Sequence, residues 1–85
     1  MKTFTYTLTH PNWLHGRPAM ELADFARTLD SAVTVRKGER SAPADHLMAL
    51  MLLGASQGDE VTVAVEGGGE EKNLAALEDF FRANL

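Results

Sequence analysis

The chain has 85 residues, a formal net charge of −4 and no cysteine. This length predicts one small domain over residues 1–85, and the absence of cysteine excludes a disulfide framework and a thiol nucleophile. The acidic balance argues against binding a nucleic-acid backbone and leaves room only for a local basic spot at Arg17 and Arg27. No stretch is apolar enough to enter a membrane and no leader follows Met1, so we expect a soluble cytoplasmic protein.

The first predicted element is a strand in which Phe4, Tyr6 and Leu8 alternate with threonines. A period of two with aromatic and β-branched residues indicates a strand with one buried face. The sequence His10-Pro11-Asn12-Trp13 ends this pattern, because proline and asparagine favour turns.

A helix is predicted to begin near Gly16 to Pro18 and to run to about Thr28. Proline is favoured at the first helical position, where its missing N–H costs nothing. Apolar residues then recur with the spacing of a buried helix face. They are Ala19, Leu22, Ala23, Ala26 and Leu29.

His15 lies just before the first turn of this helix. The free backbone N–H groups and the dipole of a helix N-terminus favour phosphate there, and the Arg17 guanidinium suits phosphate geometry. Nearby positive charge also keeps an imidazole neutral, which is its nucleophilic form. The residues therefore predict a histidine that holds a phosphoryl group; the alternative is an ordinary surface or capping histidine.

The middle of the chain predicts a hairpin and a short helix. Val33 and Val35 mark a second strand, a turn follows at 37–39, and a third strand covers 40–42. Pro43 cannot donate to a sheet, so this strand should lie at an edge or end there. Asp45 is predicted to cap a helix over 46–53, which Gly54 would end.

The last part of the chain predicts a strand and a longer helix. Glu60 to Glu66 forms the fourth strand, and the triple glycine 67–69 is a flexible break. The final helix starts near Glu70, with an apolar stripe at Leu74, Leu77 and Phe81. The order β-α-β-β-α-β-α implies an α+β fold, with one sheet and helices covering one face.

The box His15-Gly16-Arg17-Pro18-Ala19, with Asn12 upstream, resembles the active-site signature of the HPr family, the histidine phosphocarriers of the bacterial phosphoenolpyruvate:sugar phosphotransferase system. Residues 45–54 resemble the family's second signature, and the turn at 57–59 also fits. The resemblance spans nearly the whole chain. It implies a four-stranded antiparallel sheet with three helices on one face and the other face solvated.

The resemblance also implies a function. His15 would accept a phosphoryl group on Nδ1 from phosphorylated enzyme I and pass it to enzyme IIA domains, in sugar uptake or a related phosphorelay. Arg17 and the backbone N–H of Gly16 would stabilise the phosphoryl charge, and Asn12 would fix the loop. Phosphoryl transfer of this kind needs positioning and electrostatics, so we expect no metal and no cofactor. We expect a monomer that transfers a group rather than a stand-alone enzyme.

A partner-docking patch is predicted beside the histidine. On the short helix, Leu50 and Leu53 can face the core, while other apolar side chains share an exposed side. These are Leu47, Met48 and Met51, joined by Met20 from the first helix. Methionine suits a surface that repacks against several partners. The alternative is that all of these side chains belong to the core.

Some positions depart from the family pattern. His46 stands where many members carry a regulatory serine, and an imidazole cannot accept phosphate from a serine kinase. His46 could add positive charge near His15 or be an ordinary solvated residue. Asp24 and Ala49 replace frequent lysines, which predicts a specialised partner set such as a nitrogen-type or fused phosphorelay.

Other functions compete with that of a phosphocarrier. The first is a regulatory protein that docks a partner and is switched by phosphorylation of His15. The second is an isolated domain of a larger phosphotransferase. A metal site at His10, His15 and His46 matches no ordinary ligand spacing. A serine hydrolase is disfavoured because none of the three serines lies in a nucleophile elbow. They are Ser31, Ser41 and Ser56.

Overall fold

In the computed structural model, which describes residues 1–11 and 17–85, four strands form one antiparallel sheet. The elements of this part follow the predicted order, and the strands lie side by side as β1-β4-β2-β3. Their bounds are β1 (Lys2–Thr7), α1 (Arg17–Arg27), β2 (Ser31–Lys37), β3 (Arg40–Pro43), α2 (Leu47–Leu52), β4 (Glu60–Gly67) and α3 (Glu70–Asn84). The predicted α+β fold, a sheet with three helices, is confirmed.

The central strands alternate between a buried and an open face. Val63 lies opposite Phe4 on one side and Val35 on the other, and both valines are fully buried. On the open face, Thr62 lies between Thr5 and Arg36. Since facing residues of antiparallel strands share one side of the sheet, the apolar rows point toward the helices and the threonines toward water.

The strand β3 forms one edge of the sheet and pairs only with β2 among the described strands. Pro43 is its last residue and lies opposite Thr34. A proline cannot donate to a further strand, so it blocks extension of the sheet at this edge. The prediction that Pro43 lies at a sheet edge is confirmed.

The helix α1 buries the face that its periodicity predicted. Ala19, Leu22, Ala23 and Ala26 are all buried, and Leu29, just beyond the helix, is half-buried. The ring of Phe25 on the flank of α1 stacks on Phe80 of α3 with 5.0 Å between the centroids. These contacts fix α1, and therefore its first residue Arg17, against the rest of the fold.

Phe81 of α3 lies at the centre of the core. Its ring is fully buried and meets Phe4 and Tyr6 edge to face, with centroids 5.4 and 5.5 Å apart. Leu77, one turn earlier, is also fully buried, whereas Leu74 is half-buried. The predicted stripe of α3 thus anchors this helix on β1.

Of the triple glycine, Gly67 ends β4, and Gly68 and Gly69 form the turn to α3. Gly69 precedes the helix with a φ of +71°, a left-handed conformation that suits glycine. The carbonyl of Gly68 accepts from the Ser31 hydroxyl at 2.5 Å and from the Asn73 amide at 3.2 Å. The same amide donates to the Ser31 hydroxyl at 2.9 Å. This buried polar network ties the turn to the start of β2.

The N-cap of α2 is His46, so the prediction that Asp45 caps this helix is wrong. The His46 backbone is extended, and its ring Nδ1 accepts from the backbone N–H of Ala49 at 3.2 Å. The ring nitrogen thereby acts as the N-cap acceptor, a role usually taken by a serine or aspartate oxygen, and satisfies one unpaired N–H of the first turn. Gly54 follows the helix with a φ of +70°, as expected of a helix-ending glycine.

We expect His46→Ala to lower the free energy of unfolding by about 1 kcal/mol, because the Ala49 N–H then loses its acceptor. His46→Asn offers a side-chain oxygen at a similar distance and should keep most of the stability. Urea unfolding of both variants at one pH measures the difference. Equal losses in the two variants would show that the ring contributes packing and not a cap.

Candidate functional site

The predicted phosphoryl site divides between described and undescribed residues. His15, Asn12 and Gly16, together with Trp13 and Leu14, lie outside the residues that the structure describes. Arg17 lies inside them, exposed at the first position of α1. The predictions for His15, Asn12 and Gly16 therefore depend on the sequence and on the two flanks that the structure places.

The flank after His15 is the N-terminus of α1. Its first turn carries the cation Arg17 and no acidic residue, so no carboxylate in that turn offsets the positive end of the helix dipole. Arg27 closes the same helix, but its guanidinium pairs with the Asp24 carboxylate at 2.7 Å. Of the basic spot suggested by the sequence, Arg17 lies beside the His15 segment, whereas Arg27 is paired at the far end of α1.

The flank before His15 is the segment Leu8–His10, which continues β1. It runs beside the turn at 56–59, which joins α2 to β4. The Asp59 carboxylate in this turn accepts from the backbone N–H of Ser56 at 2.9 Å and pairs with the Lys37 ammonium at 3.1 Å. These two contacts, the backbone one first, lower the pKa of Asp59 below its ordinary value.

A lowered pKa means that the ionised form of the Asp59 carboxyl group, relative to its protonated form, is more stable in the folded state than in the unfolded state. The stabilisation from Asp59 is therefore present above the ordinary carboxyl pKa and is lost as the pH falls through the folded-state value. We expect Asp59→Asn to lower the Tm at pH 7 and to have a smaller effect at pH 3. Thermal unfolding at the two pH values measures this, and an equal Tm difference at both would contradict it.

An apolar surface lies on α1 and α2. The side chains of Met20, Met48 and Met51, which we call the methionine surface, are 48%, 62% and 38% exposed. Leu47 is half-buried, and Leu50 and Leu53 are buried as predicted. The alternative that all these side chains belong to the core is wrong for the three methionines.

Leu52 is 72% exposed and was missed by the sequence analysis. It follows Met48 by one helical turn, a spacing that places both residues on one face of α2. This spacing of four residues is the sequence signal that could have identified Leu52 as part of the exposed apolar surface. Exposed apolar side chains grouped in this way mark interaction sites more often than isolated ones do.

His10 and His46 occupy different places in the fold. His46 holds the start of α2, and His10 follows β1 with its backbone N–H bonded to the Leu85 backbone oxygen at 2.8 Å. Within residues 1–11 and 17–85, no group of three histidine, cysteine or acidic side chains could hold a metal ion. No helix in the same ranges could cross a membrane.

Comparison with known proteins places these features in one family. The family model described as the PTS HPr component phosphorylation site matches residues 2–83. The chain is 36% identical to the phosphocarrier protein HPr of Lysinibacillus sphaericus, over 91% of this chain and 88% of that protein. It is 32% identical to the phosphocarrier protein NPr of Escherichia coli K12, over 95% of this chain and 91% of that protein.

A longer relative and a solved structure complete the comparison. The chain is 36% identical over 94% of its length to the multiphosphoryl transfer protein of Xanthomonas campestris, but spans 10% of that protein. The crystal structure of HPr-C-His from Thermoanaerobacter tengcongensis superposes with a TM-score of 0.92 at 33% identity. That superposition covers 99% of this chain and 94% of the other.

Proposed function

Because the chain belongs to the HPr family of phosphotransferase-system phosphocarriers, we propose that His15 accepts a phosphoryl group from phosphorylated enzyme I and passes it to an enzyme IIA domain. The observation that carries this proposal is the family match across residues 2–83, which includes the His15 box. The N-terminus of α1, with Arg17 in its first turn, supports it. We further propose that residues 1–85 act as one domain in the cytoplasm.

In the proposed reaction, the neutral His15 Nδ1 lone pair attacks phosphorus and forms an N–P bond while the bond from phosphorus to the enzyme I donor breaks. The Arg17 guanidinium and the N–H groups at the start of α1 stabilise the charge on the phosphoryl oxygens. The same groups serve when the acceptor domain attacks phosphorus in turn. They must hold the group moderately, because a deeply stabilised intermediate would be slow to pass it on.

The methionine surface is the proposed docking site for both partners. Enzyme I and enzyme IIA present different surfaces to the same phosphoryl group, so one patch must adapt to two shapes. Thioether side chains have three rotatable bonds and a polarisable sulfur, which lets them repack at little cost. The half-buried Leu47 precedes Met51 by one helical turn of α2, and we propose that it adds to the docking site formed by the methionine surface.

A second candidate function uses the same residues without onward transfer. The protein would dock a regulatory partner through the methionine surface, and a phosphoryl group on His15 would change that affinity through its negative charge. The exposure of Met48 and Met51 favours this candidate as well, because a docked partner needs an exposed apolar surface to contact. Such a partner does not need a histidine that accepts the phosphoryl group.

Incubation with phosphoenolpyruvate, Mg²⁺ and enzyme I, followed by intact mass spectrometry, tests the proposal. We expect a gain of one phosphoryl group that is acid-labile and absent in His15→Ala. Adding an enzyme IIA should then return the protein to its starting mass. Retention of the group after that chase, with tighter binding of another partner, would favour the regulatory function. No gain at all, with an authentic HPr labelled in parallel, would contradict both.

A further inference from the structure

The segment Leu8–His10 is held along its whole length by parts of the chain that are remote in sequence. The Leu8 N–H donates to the Asp59 carbonyl and the Leu8 carbonyl accepts from Gly58, both at 2.9 Å. The N–H groups of Thr9 and His10 both donate to the Leu85 backbone oxygen, at 2.7 and 2.8 Å. These four backbone groups bond to protein and not to water, so the segment is constrained where it leaves β1.

A side chain adds one further contact to these backbone hydrogen bonds. The Gln57 amide Nε2 donates to the Thr9 carbonyl at 3.1 Å. With it, each backbone polar group from the Leu8 N–H to the His10 N–H has a protein partner. Gln57 is exposed, and within the described residues the bond to Thr9 is the hydrogen bond that orients its side-chain amide.

The turn that carries Gln57 is itself fixed. The Asp59 carboxylate accepts from both the N–H and the hydroxyl of Ser56, at 2.9 and 3.2 Å, and Asp59 donates its own N–H to the Ser56 carbonyl at 2.9 Å. The Lys37 ammonium adds a contact with Asp59 at 3.1 Å and another with the Gly54 carbonyl at 3.0 Å. The amide of Gln57 therefore projects from a rigid base.

This segment fixes one end of the stretch of chain that carries His15. That stretch runs from His10, where the segment ends, to Arg17, where α1 begins. Phosphoryl transfer needs the nucleophile in line with the bond that breaks, and displacements of about 1 Å can cost two orders of magnitude in rate. We propose that Gln57, through its hydrogen bond to the Thr9 carbonyl, is a positioning residue for His15. The inference rests on the proposed phosphocarrier function.

Gln57→Leu keeps the approximate size of the side chain and removes the donor, and Gln57→Lys keeps a donor of sufficient reach. With the protein as the substrate of enzyme I, we expect kcat to fall about three- to tenfold in Gln57→Leu, the rate equivalent of one neutral hydrogen bond. KM should stay within about twofold, because the methionine surface is untouched. Gln57→Lys should restore kcat at an ionic strength of about 0.15 M, where the added charge is largely screened.

A second readout separates positioning from general stability. The ring ¹⁵N and ¹H resonances of His15, followed by NMR in the unphosphorylated protein, should shift in Gln57→Leu and return in Gln57→Lys, while those of His46 stay in place. An unchanged kcat in Gln57→Leu, or equal losses in both variants, would overturn the inference. If the wild-type protein takes no phosphoryl group, the proposed function fails; unmoved His15 resonances would then overturn the positioning role separately, and moved ones would support it.

Discussion

Phe81→Ala is expected to lower the free energy of unfolding by about 3 to 5 kcal/mol. The ring is fully buried and makes edge-to-face contacts with Phe4 and Tyr6, so truncation leaves a cavity between α3 and β1 and removes two aromatic pairs. The total free energy of unfolding of a native domain is about 5 to 15 kcal/mol, so the variant should be partly unfolded near 37 °C. Urea unfolding measures the loss.

Phe80→Ala is the matched control on the same helix. Phe80 is half-buried and stacks on Phe25 at the surface, where the helices can close over part of the gap. We expect it to cost less than half as much as Phe81→Ala. Equal losses would mean that the centre of the core does not lie where the structure places it.

Met48→Glu is expected to lower kcat/KM for transfer from enzyme I at least tenfold, with little change in stability. Met48 is the most exposed member of the methionine surface, so the carboxylate stays in water in the free protein. On docking it must lose that water against an apolar partner surface, a burial penalty of several kcal/mol for an unpaired charge. The loss should appear as a raised KM.

Thr5→Glu is the control for added charge. Thr5 is exposed on the open face of the sheet, opposite the helices, so the variant carries the same net charge without touching the docking patch. Thr5→Glu should transfer within about twofold of the wild type at an ionic strength of about 0.15 M. A tenfold loss in both variants would show that net charge, and not the methionine surface, governs recognition.

The elements that repeat a local pattern were predictable from the sequence. Alternation placed β1, β2 and β4, and the period of α1 identified its buried residues, because burial on one face imposes the spacing directly. The turn at 37–39 then placed β3 as the second strand of a hairpin. The fold then followed from the order of elements on so short a chain. Pro43 at the sheet edge belongs to the same class, since one missing N–H decides its place.

The features that were missed depend on contacts between distant residues or on an unusual use of a side chain. The cap of α2 was assigned to Asp45 because carboxylates cap helices commonly, whereas an imidazole nitrogen rarely does. Two sets of hydrogen bonds join segments far apart in sequence: the buried pair of Ser31 and Asn73, and the backbone bonds of Leu8–His10. Periodicity carries no information about such contacts. The sequence does not decide whether Met48 is exposed, because an apolar residue on a short helix fits a core and a docking surface equally well.

Phosphorylation of His15 is central to the proposed function, and tandem mass spectrometry at neutral pH locates the phosphoryl group most directly. Trypsin does not cut before Pro18, so His10 and His15 stay in one peptide over residues 3–27, and fragmentation must separate them; His46 falls in the peptide over 41–72. After reaction with phosphoenolpyruvate and enzyme I, we expect one phosphoryl group, on His15. A phosphoryl group on His10 or His46, or labelling that persists in His15→Ala, would contradict the proposed function.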